Sequence, residues 1–188
     1  MRIIAGSAKG IRLKMVPGNH VRPTADRVKE SLFSVIGPFF DGGKGLDLFT
    51  GTGSLGLEAI SRGMDQVYFV DQSAVSLRIA RENAVHCGFS DQAVFLRRDA
   101  RSVLKYFATK SLQFDLIFLD PPYHENLLQP VLSLIQEKSL LSPEGLLVVE
   151  HPHTLSILSS DSSFVTSREL SYGDTTITLL KQKGVTSA

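Results

Sequence analysis

The stretch from Asp120 to Tyr123 carries the residue types best suited to chemistry in this sequence. It reads Asp-Pro-Pro-Tyr and follows the run Phe114 to Leu119, which has the length and composition of a buried strand. Because Pro121 and Pro122 cannot continue a strand ladder, we expect a stiff bend at this point. The Asp120 carboxylate and the Pro121 carbonyl could then both act as acceptors beyond the strand. The alternative is a strand-to-helix turn in which Asp120 is only a cap.

Two acceptors and an aromatic ring suit the activation of an exocyclic amine on a nucleic-acid base. The lone pair of such a nitrogen is delocalised into the ring, and acceptors on its hydrogens would localise it for attack. An ionised Asp120 would also stabilise the positive charge that develops on nitrogen as it takes a methyl group. Stacking on Tyr123 would hold the base, with a free energy of about 1 to 3 kcal/mol. The pattern therefore predicts methyl transfer to a base nitrogen.

A glycine-rich loop upstream has the context of a nucleoside-binding turn. The segment Gly45 to Thr50 predicts a strand, the stretch Gly51-Thr52-Gly53-Ser54-Leu55-Gly56 follows, and helical spacing begins at Leu57. Glycines allow a tight turn and let a ligand approach the backbone. The next predicted strand, Gln66 to Val70, ends at Asp71, about 20 residues after the first glycine, where a carboxylate can bind ribose hydroxyls.

A third carboxylate, Asp99, closes the short predicted strand Ala93 to Arg97. Strands that end at Asp71, Asp99 and Asp120 place negative charge along one edge of the predicted sheet, which favours a cationic ligand over a pyrophosphate. S-Adenosylmethionine, with its sulfonium and ammonium groups, fits that expectation better than NAD or FAD, whose fold needs a pair of mononucleotide-binding halves. The alternative for Asp99 is the N-cap of a helix from Ala100 to Phe107.

Length and composition fit a small cytoplasmic enzyme. The chain has 188 residues, 43% of them hydrophobic, and we expect a single domain over residues 1–188. The one cysteine, Cys87, excludes an internal disulfide, and no Cys/His cluster has metal-site spacing, so no metal is expected. We expect His151 and His153 to be loop residues and not ligands. Without a long apolar run or a signal-peptide pattern, we expect a cytoplasmic protein with no membrane partner. We also expect a monomer.

Strands and helices alternate from about residue 44 onward. This predicts an α/β fold with a mostly parallel sheet and helices on both faces. One helix is expected from Ser73 to Cys87 with Gly88 as a left-handed cap, and another from near Glu125 to a point before Ser142. The last two strands, joined by Tyr172-Gly173-Asp174, have the spacing of an antiparallel hairpin at the sheet edge. The predicted strands span residues 45–50, 66–70, 93–97, 114–119, 145–150, 163–169 and 175–181.

Positive charge is concentrated at the N-terminal end, although the net charge of the chain is only +1. Residues 1–25 contain no acidic residue, and alternation around Gly6 and Gly10 predicts a basic β-hairpin over residues 1–20. Such cations would bind phosphates in a salt-sensitive, sequence-independent way. The alternative is a solvated edge strand that its charges protect from pairing. The basic residues are Arg2, Lys9, Arg12, Lys14 and Arg22.

An amphipathic helix is predicted after Thr24, which has the residue type of an N-cap, and it ends before Gly37-Pro38. Its apolar stripe would pack on the core. Arg22, Thr24 and Arg27 gather at the start of this helix, where they could close over a cofactor or contact nucleic acid. The alternative is that Thr24 only caps the helix and Arg27 only pairs with a neighbouring acid. The stripe consists of Val28, Leu32, Val35 and Ile36.

The chain resembles the RsmD family of bacterial 16S rRNA guanine-N2 methyltransferases over nearly its whole length. After about residue 150 only the strand pattern matches. The N-terminal and Arg-Pro-Thr elements are the specific ones, because the glycine loop and the Asp-Pro-Pro-Tyr box recur in many amino-methyltransferases. The matching motifs are Arg2-Ile3-Ile4-Ala5-Gly6, Lys9-Gly10, Arg22-Pro23-Thr24, Asp26-Arg27, Leu32-Phe33, Asp47-Leu48-Phe49, Gly51, Gly53, Leu55-Gly56-Leu57-Glu58-Ala59 and Asp120-Pro121-Pro122-Tyr123.

The resemblance implies a class I, Rossmann-like methyltransferase fold, whose seven-stranded sheet is mostly parallel with an antiparallel last strand. It implies methyl transfer from S-adenosylmethionine, leaving S-adenosylhomocysteine, to the N2 amine of a guanine in 16S rRNA, within the small ribosomal subunit. The implied catalytic residues are Asp120, Pro121, Pro122 and Tyr123. The implied cofactor-binding residues are Thr24, Asp47, Phe49, Gly51, Thr52, Gly53, Asp71, Gln72, Asp99, Ala100 and Asp120. The expected RNA-binding residues are Arg2, Lys9, Arg12, Lys14, Arg22 and Arg27.

Two other functions remain open at this point. An adenine-N6 methyltransferase acting on DNA or RNA would use the same box, although a sequence-selective DNA enzyme usually needs an added target-reading region. A non-catalytic rRNA-binding assembly factor would require the box and the glycine loop to be purely structural. Identification of the methylated nucleoside distinguishes the adenine-N6 enzyme from a guanine-N2 methyltransferase, and cofactor titration distinguishes the assembly factor from either enzyme.

Overall fold

Seven strands form one mixed sheet in the computed structural model, which describes residues 1–17, 26–122 and 126–184. The strands are β1 Lys44–Asp47, β2 Gln66–Asp71, β3 Ala93–Arg97, β4 Phe114–Leu119, β5 Leu141–Pro152, β6 Phe164–Tyr172 and β7 Thr175–Gln182. Their order across the sheet is β3-β2-β1-β4-β5-β7-β6. β1 pairs with β2, β2 with β3 and β4 with β5 in parallel, while β7 runs antiparallel to β5 and β6. The predicted α/β class and the antiparallel last strand are confirmed.

The chain divides into two compact units, Met1–Arg98 and Asp99–Ala188. Unit 1 contains β1 to β3 and the helices α1 Asp26–Ile36, α2 Ser54–Ser61 and α3 Ala74–Cys87. Unit 2 contains β4 to β7 and the helices α4 Ala100–Thr109 and α5 Leu128–Glu137. The expectation of a single domain over residues 1–188 stays a prediction.

The capping residues of α3 fix its length as the sequence predicts. Ser73 Oγ accepts a hydrogen bond from Ser76 N at 3.2 Å, which satisfies one of the free amides of the first turn. At the other end, Gly88 adopts φ 78°, the left-handed conformation that terminates many helices. The boundaries at Ala74 and Cys87 follow from these two residues.

The glycine loop begins earlier than predicted, because β1 ends at Asp47 and not at Thr50. Thr50 Oγ1 donates to the Asp47 carbonyl at 2.8 Å, so the chain already turns at Leu48 and Phe49. Thr50 N still donates to Val70 O at 3.0 Å, which keeps the start of the loop attached to β2.

Residues 1–17 pack on the helices of unit 1 and contribute no named strand to the sheet. One isolated antiparallel bridge joins Arg2 to Arg12, and Ile3 N donates to Ile11 O at 2.9 Å. Ile3 and Leu13 are buried, so the segment is anchored by its apolar residues. In the described residues, the pairing of the predicted hairpin is limited to this short antiparallel contact, and the binding of phosphates by its cations stays a prediction. Residues 18–20 of the predicted hairpin lie outside the described residues.

In unit 2, β4 and the start of α4 coincide with their predicted positions. β5 is longer than predicted at both ends, and the pairing with β4 shifts register between Phe114 and Leu116. His151 consequently lies within β5, where it is buried and its Nε2 lies 2.8 Å from Thr178 Oγ1. The expectation that His151 is a loop residue is wrong. α5 begins at Leu128, and Glu125 lies outside the described residues.

No helix in the described parts of the chain is long and apolar enough to cross a membrane.

Candidate active site

The glycine loop between β1 and α2 turns through left-handed backbone conformations at Gly51 and Gly53, with φ angles of 53° and 80°. A Cβ built on Gly51 would meet no atom within 4 Å, so the backbone there borders open space. A Cβ built on Gly53 would lie 3.2 Å from Ala80 Cβ, so this glycine permits close packing of the loop on α3. The loop therefore leaves its backbone accessible to a ligand at Gly51.

Asp71, the last residue of β2, lies against this loop. Its Oδ2 accepts a hydrogen bond from Gly51 N at 2.9 Å, and its Oδ1 accepts one from Ser73 N at 2.8 Å. The structure thus brings together the first glycine and the carboxylate that the sequence predicts for ribose. A carboxylate offers about four lone-pair sites, so Asp71 retains acceptor capacity after making both bonds. Gln72 is exposed, and its carbonyl accepts from Arg97 Nε at 3.1 Å.

Asp47 lies beneath the loop and is buried, with 3% of its surface exposed. Its Oδ2 accepts a hydrogen bond from Gly56 N at 3.1 Å, which ties β1 to the first turn of α2. Burial raises the pKa of Asp47 to about 7, the Gly56 hydrogen bond opposes that rise, and the charge of Asp71 adds to it. Asp47 therefore shapes the loop from below. Phe49 in the loop is half-buried.

Asn83 connects the glycine loop to the basic N-terminal segment, and it is not among the residues predicted from the sequence. Its side-chain Nδ2 donates to Thr52 O at 3.0 Å and to Lys14 O at 3.1 Å, while its Oδ1 accepts from Lys14 N at 2.7 Å. The amide is 1% exposed, and every one of these bonds is made inside unit 1. Thr52 Oγ1 also lies 3.7 Å from Met1 Sδ. The loop backbone and residues 1–14 are therefore held in one arrangement.

A buried charge cluster centred on Glu58 was also missed. Lys29 Nζ lies 3.3 Å from Glu58 Oε2, and Arg62 Nε lies 2.8 Å from Glu58 Oε1. The carboxylate further accepts from Ile4 N at 2.8 Å and from Ala5 N at 3.0 Å. Burial lowers the pKa of Lys29, and the charge of Glu58 opposes that decrease. Glu58 therefore fixes α1 and the N-terminal segment to α2.

The signals for these buried polar residues were present in the sequence. Lys29 precedes Leu32 and Phe33 by three and four positions, so it shares the buried face of α1. Glu58 is the only charged residue of α2, a helix in which seven of the eight residues are buried. A charged residue in such a position needs a buried partner.

In unit 2, Asp99 is the N-cap of α4, as the structural alternative in the sequence analysis predicts. Its Oδ1 accepts from Arg101 N and Ser102 N, each at 3.1 Å. The hydrogen bonds from Ser102 lower the pKa of Asp99, with smaller contributions from Arg101. Ala100, the first residue of α4, is buried. A cofactor role for Asp99 and Ala100 stays a prediction.

Asp120 directly follows β4, whose residues are all buried except Asp115. The Asp120 side chain is half-buried, Pro121 is buried and Pro122 is exposed. The Asp120 carboxylate thus lies at the C-terminal end of β4, where the chain leaves the sheet. Tyr123 lies outside the described residues.

The predicted RNA-binding residues are exposed where the structure describes them, but two are engaged by acids. Arg2 Nε lies 3.2 Å from Asp26 Oδ2, and Lys14 Nζ lies 2.9 Å from Glu82 Oε2. Exposed pairs of this kind contribute about 0 to 1 kcal/mol and can exchange partners. Arg22 and Thr24 lie outside the described residues. The other exposed cations of the set are Lys9, Arg12 and Arg27.

Comparison with known proteins places this arrangement in a family. The family model described as "Conserved hypothetical protein 95" matches residues 1–181. YlbH of Bacillus subtilis, provisionally named an rRNA methyltransferase, is 42% identical over 184 residues, covering 98% of this chain and all of YlbH. Ribosomal RNA small subunit methyltransferase D of Haemophilus influenzae is 38% identical over 152 residues, covering 80% of this chain and 78% of its own.

A solved structure from Escherichia coli agrees with these matches. It is provisionally described as the methyltransferase yhhF, has a TM-score of 0.83 and 30% identity, and the match covers 97% of each chain. The family model and this solved structure therefore match almost the full length of the chain, one in sequence and the other in architecture. On these grounds the chain belongs to the RsmD family.

Proposed function

We propose that this protein transfers a methyl group from S-adenosylmethionine to the N2 amine of a guanine in 16S rRNA of the small ribosomal subunit. The observation that carries the proposal is the match, over 80% of this chain, to relatives named as methyltransferases of small-subunit ribosomal RNA. The proposal includes one methyltransferase domain over residues 1–188, acting as a monomer in the cytoplasm. S-Adenosylhomocysteine is the second product.

The residues of unit 1 fit S-adenosylmethionine, which would supply an electrophilic methyl group on a sulfonium. The open space at Gly51 allows a ligand to lie directly on the loop backbone. Asp71 is held against that loop by the Gly51 amide and keeps acceptor capacity for vicinal hydroxyls. Asp47 and Asn83 support the loop from the buried side, since each bonds to its backbone. In this proposal Gly51, Gly53 and Asp71 bind the cofactor, and Asp47 and Asn83 position them.

The residues of unit 2 supply acceptors for the amine. In the proposal, the guanine N2 amine donates to the Asp120 carboxylate and to the Pro121 carbonyl, which localises the nitrogen lone pair for attack. The carboxylate also stabilises the positive charge that nitrogen gains as the new N–C bond forms. Tyr123 stacks on the base after it has left its own stack. The half-buried position of Asp120 supports this assignment, because a partly desolvated carboxylate interacts more strongly with a developing charge than a fully solvated one does.

Replacement of the acceptor carboxylate tests the proposal. Asp120→Ala should reduce methyl transfer by at least about 100-fold, in the range found when a preorganised electrostatic contact is removed. Calorimetric titration with S-adenosylmethionine should give nearly the wild-type affinity. Asp115→Ala is the matched control and should keep wild-type turnover, since Asp115 is an exposed carboxylate within β4 that accepts from Ser142 Oγ at 2.8 Å. Weakened cofactor binding with retained turnover in Asp120→Ala would contradict the assignment.

The nucleoside product identifies the reaction. Mass spectrometry of 16S rRNA from cells lacking this protein should show the loss of one N2-methylguanosine, which the wild-type gene restores and the Asp120→Ala gene does not. Loss of N6-methyladenosine instead would establish the adenine alternative. Unchanged modification, together with no calorimetric signal for S-adenosylmethionine, would establish a non-catalytic role.

A further inference from the structure

An open groove lies on unit 1 between α3 and the basic N-terminal segment. Its volume is about 490 Å³, and we call it the α3 groove. Residues of the N-terminal segment form one wall, and one face of α3 forms the other. The lining residues are Arg12, Lys14, Arg81, Glu82, Val85 and His86.

The wall formed by the N-terminal segment is held in place by α3 itself. The Asn83 side chain pairs with both the amide and the carbonyl of Lys14, at 2.7 and 3.1 Å. Leu13 is 6% exposed and anchors the segment from below, while its neighbours Arg12 and Lys14 are exposed. The backbone that carries these two cations is therefore already fixed, so only their side chains need to become ordered when a ligand binds.

Cations outnumber acids around this groove. Arg12, Lys14 and Arg81 line it and Arg78 lies one turn earlier on α3, whereas Glu82 is the one acid among the described lining residues. Glu82 lies 2.9 Å from Lys14 Nζ and 3.4 Å from Arg78 NH1, and the hydrogen bond from Lys14 lowers its pKa. One carboxylate between two cations leaves a positive surplus, which attracts a polyanion.

Arg81 is also held in position. Its guanidinium carbon lies 5.0 Å from the centre of the Phe95 ring, within the range of a cation–π contact. A guanidinium stacked on a ring still has N–H groups at its edge, and these suit the paired oxygens of a phosphate. Val85, 63% exposed on the same helix, offers an apolar surface beside these cations.

We propose that the α3 groove binds the phosphate backbone of the RNA substrate, with Arg78 and Arg81 of α3 acting together with Arg12 and Lys14. The inference rests on the proposed function for the identity of the polyanion. The RNA-binding residues predicted from the sequence lie in the N-terminal segment and at the start of α1. This inference adds the exposed face of α3 to that surface. Contacts of this kind position the RNA without selecting its sequence.

Neutral replacement of the arginines tests the groove by the salt dependence of RNA binding. A 16S rRNA transcript is titrated with wild type, Arg78→Gln and Arg81→Gln between 50 and 300 mM KCl, an interval chosen around roughly physiological salt. The slope of log K against log salt is negative, and each lost phosphate contact should reduce its magnitude by about 0.7 to 0.9. That change corresponds to binding about 3- to 5-fold weaker near physiological salt. In methylation assays KM for the RNA should rise and kcat should stay unchanged.

Two further variants serve as controls. Arg81→Lys keeps the charge and should retain most of the wild-type slope. Arg168→Gln removes an exposed arginine from β6, outside the groove, and should bind RNA like wild type. Melting temperatures close to wild type show that the variants are folded.

The outcomes separate this inference from the proposed function. Suppose that wild type methylates rRNA, and that Arg78→Gln and Arg81→Gln have the same salt slope and the same KM as the control Arg168→Gln. The groove then does not bind RNA, and only this inference fails. A wild-type protein that neither binds nor methylates the transcript or the small subunit would refute the proposed function and this inference with it. Binding of an acidic protein that the α3 variants abolish, with RNA binding unchanged, would also overturn the inference.

Discussion

Replacing Asp47 with asparagine should change how the stability of the protein depends on pH. Asp47 is 3% exposed and its pKa is raised to about 7, mainly because burial disfavours the charged form. Its hydrogen bond from Gly56 N, at 3.1 Å, can be kept by the oxygen of an asparagine amide. Asp47→Asn therefore removes the ionisation and preserves most of the local geometry.

The sign and size of the effect follow from the difference between the folded and unfolded states. Below the ordinary pKa of 3.8, the carboxyl is protonated in both states, so its contribution to stability is fully present. Between pH 3.8 and about 7 the unfolded chain releases the proton and the folded protein keeps it. The free energy of unfolding of wild type should then fall, relative to Asp47→Asn, by about 1.4 kcal/mol per pH unit. The total loss is about 4 kcal/mol and levels off above pH 7.

Urea unfolding of both proteins from pH 5 to 8 measures this difference, because the contributions of the other carboxyl groups cancel in the comparison. Carbon NMR of the Asp47 carboxyl group, identified by its absence in the variant, gives the midpoint of titration in the folded protein directly. A midpoint near the ordinary aspartate value, or a stability difference that does not vary with pH, would refute the claim that burial controls this residue.

Three further predictions concern other parts of the structure. Glu58→Gln leaves the buried cations Lys29 and Arg62 without their carboxylate and should lower the free energy of unfolding in urea by about 3 to 5 kcal/mol. Lys29→Met leaves the Glu58–Arg62 pair intact and should lower it less. A larger loss in Lys29→Met would contradict the cluster as described. Gly56→Ala places a Cβ 2.8 Å from Phe69 Cζ, and the overpacking should cost about 1 to 3 kcal/mol and weaken cofactor binding in calorimetry. Asp99→Ala removes the N-cap of α4 and should cost about 1 kcal/mol, a loss that Asp99→Asn should largely avoid; equal losses in both would indicate a role beyond capping.

The sequence predicts the architecture well because its strands and helix ends carry local signals. The strand at 114–119 is apolar apart from Asp115 and is closed by Asp120-Pro121, and α3 is flanked by a serine at one end and a glycine at the other. The boundaries of β5 are less predictable. Its first half contains Ser142-Pro143-Glu144-Gly145, which has the composition of a turn, yet the strand continues through it with a shift in register. Pairing with the neighbouring strand, a non-local interaction, decides that boundary.

The candidate site was predicted less completely than the fold. Gly51 and Asp71 were expected to lie together from their spacing, and they share a hydrogen bond. Asn83 gave no such signal, because an asparagine in the middle of a helix is ordinarily a surface residue. Its role depends on residues 31 and 69 positions away in sequence, which only the folded chain brings within reach. Supporting contacts of this type are the part of a site that local patterns do not reveal.

The attachment of residues 1–14 to Glu58 and Asn83 has a practical consequence for experiments on this protein. Removing that segment would deprive a buried carboxylate of its amide donors from Ile4 and Ala5, and would take away the backbone partner that orients Asn83. Under the proposed function, a shortened protein would therefore lose cofactor affinity and thermal resistance together with part of its affinity for RNA. Individual charge replacements at the surface, rather than deletions, can separate these properties.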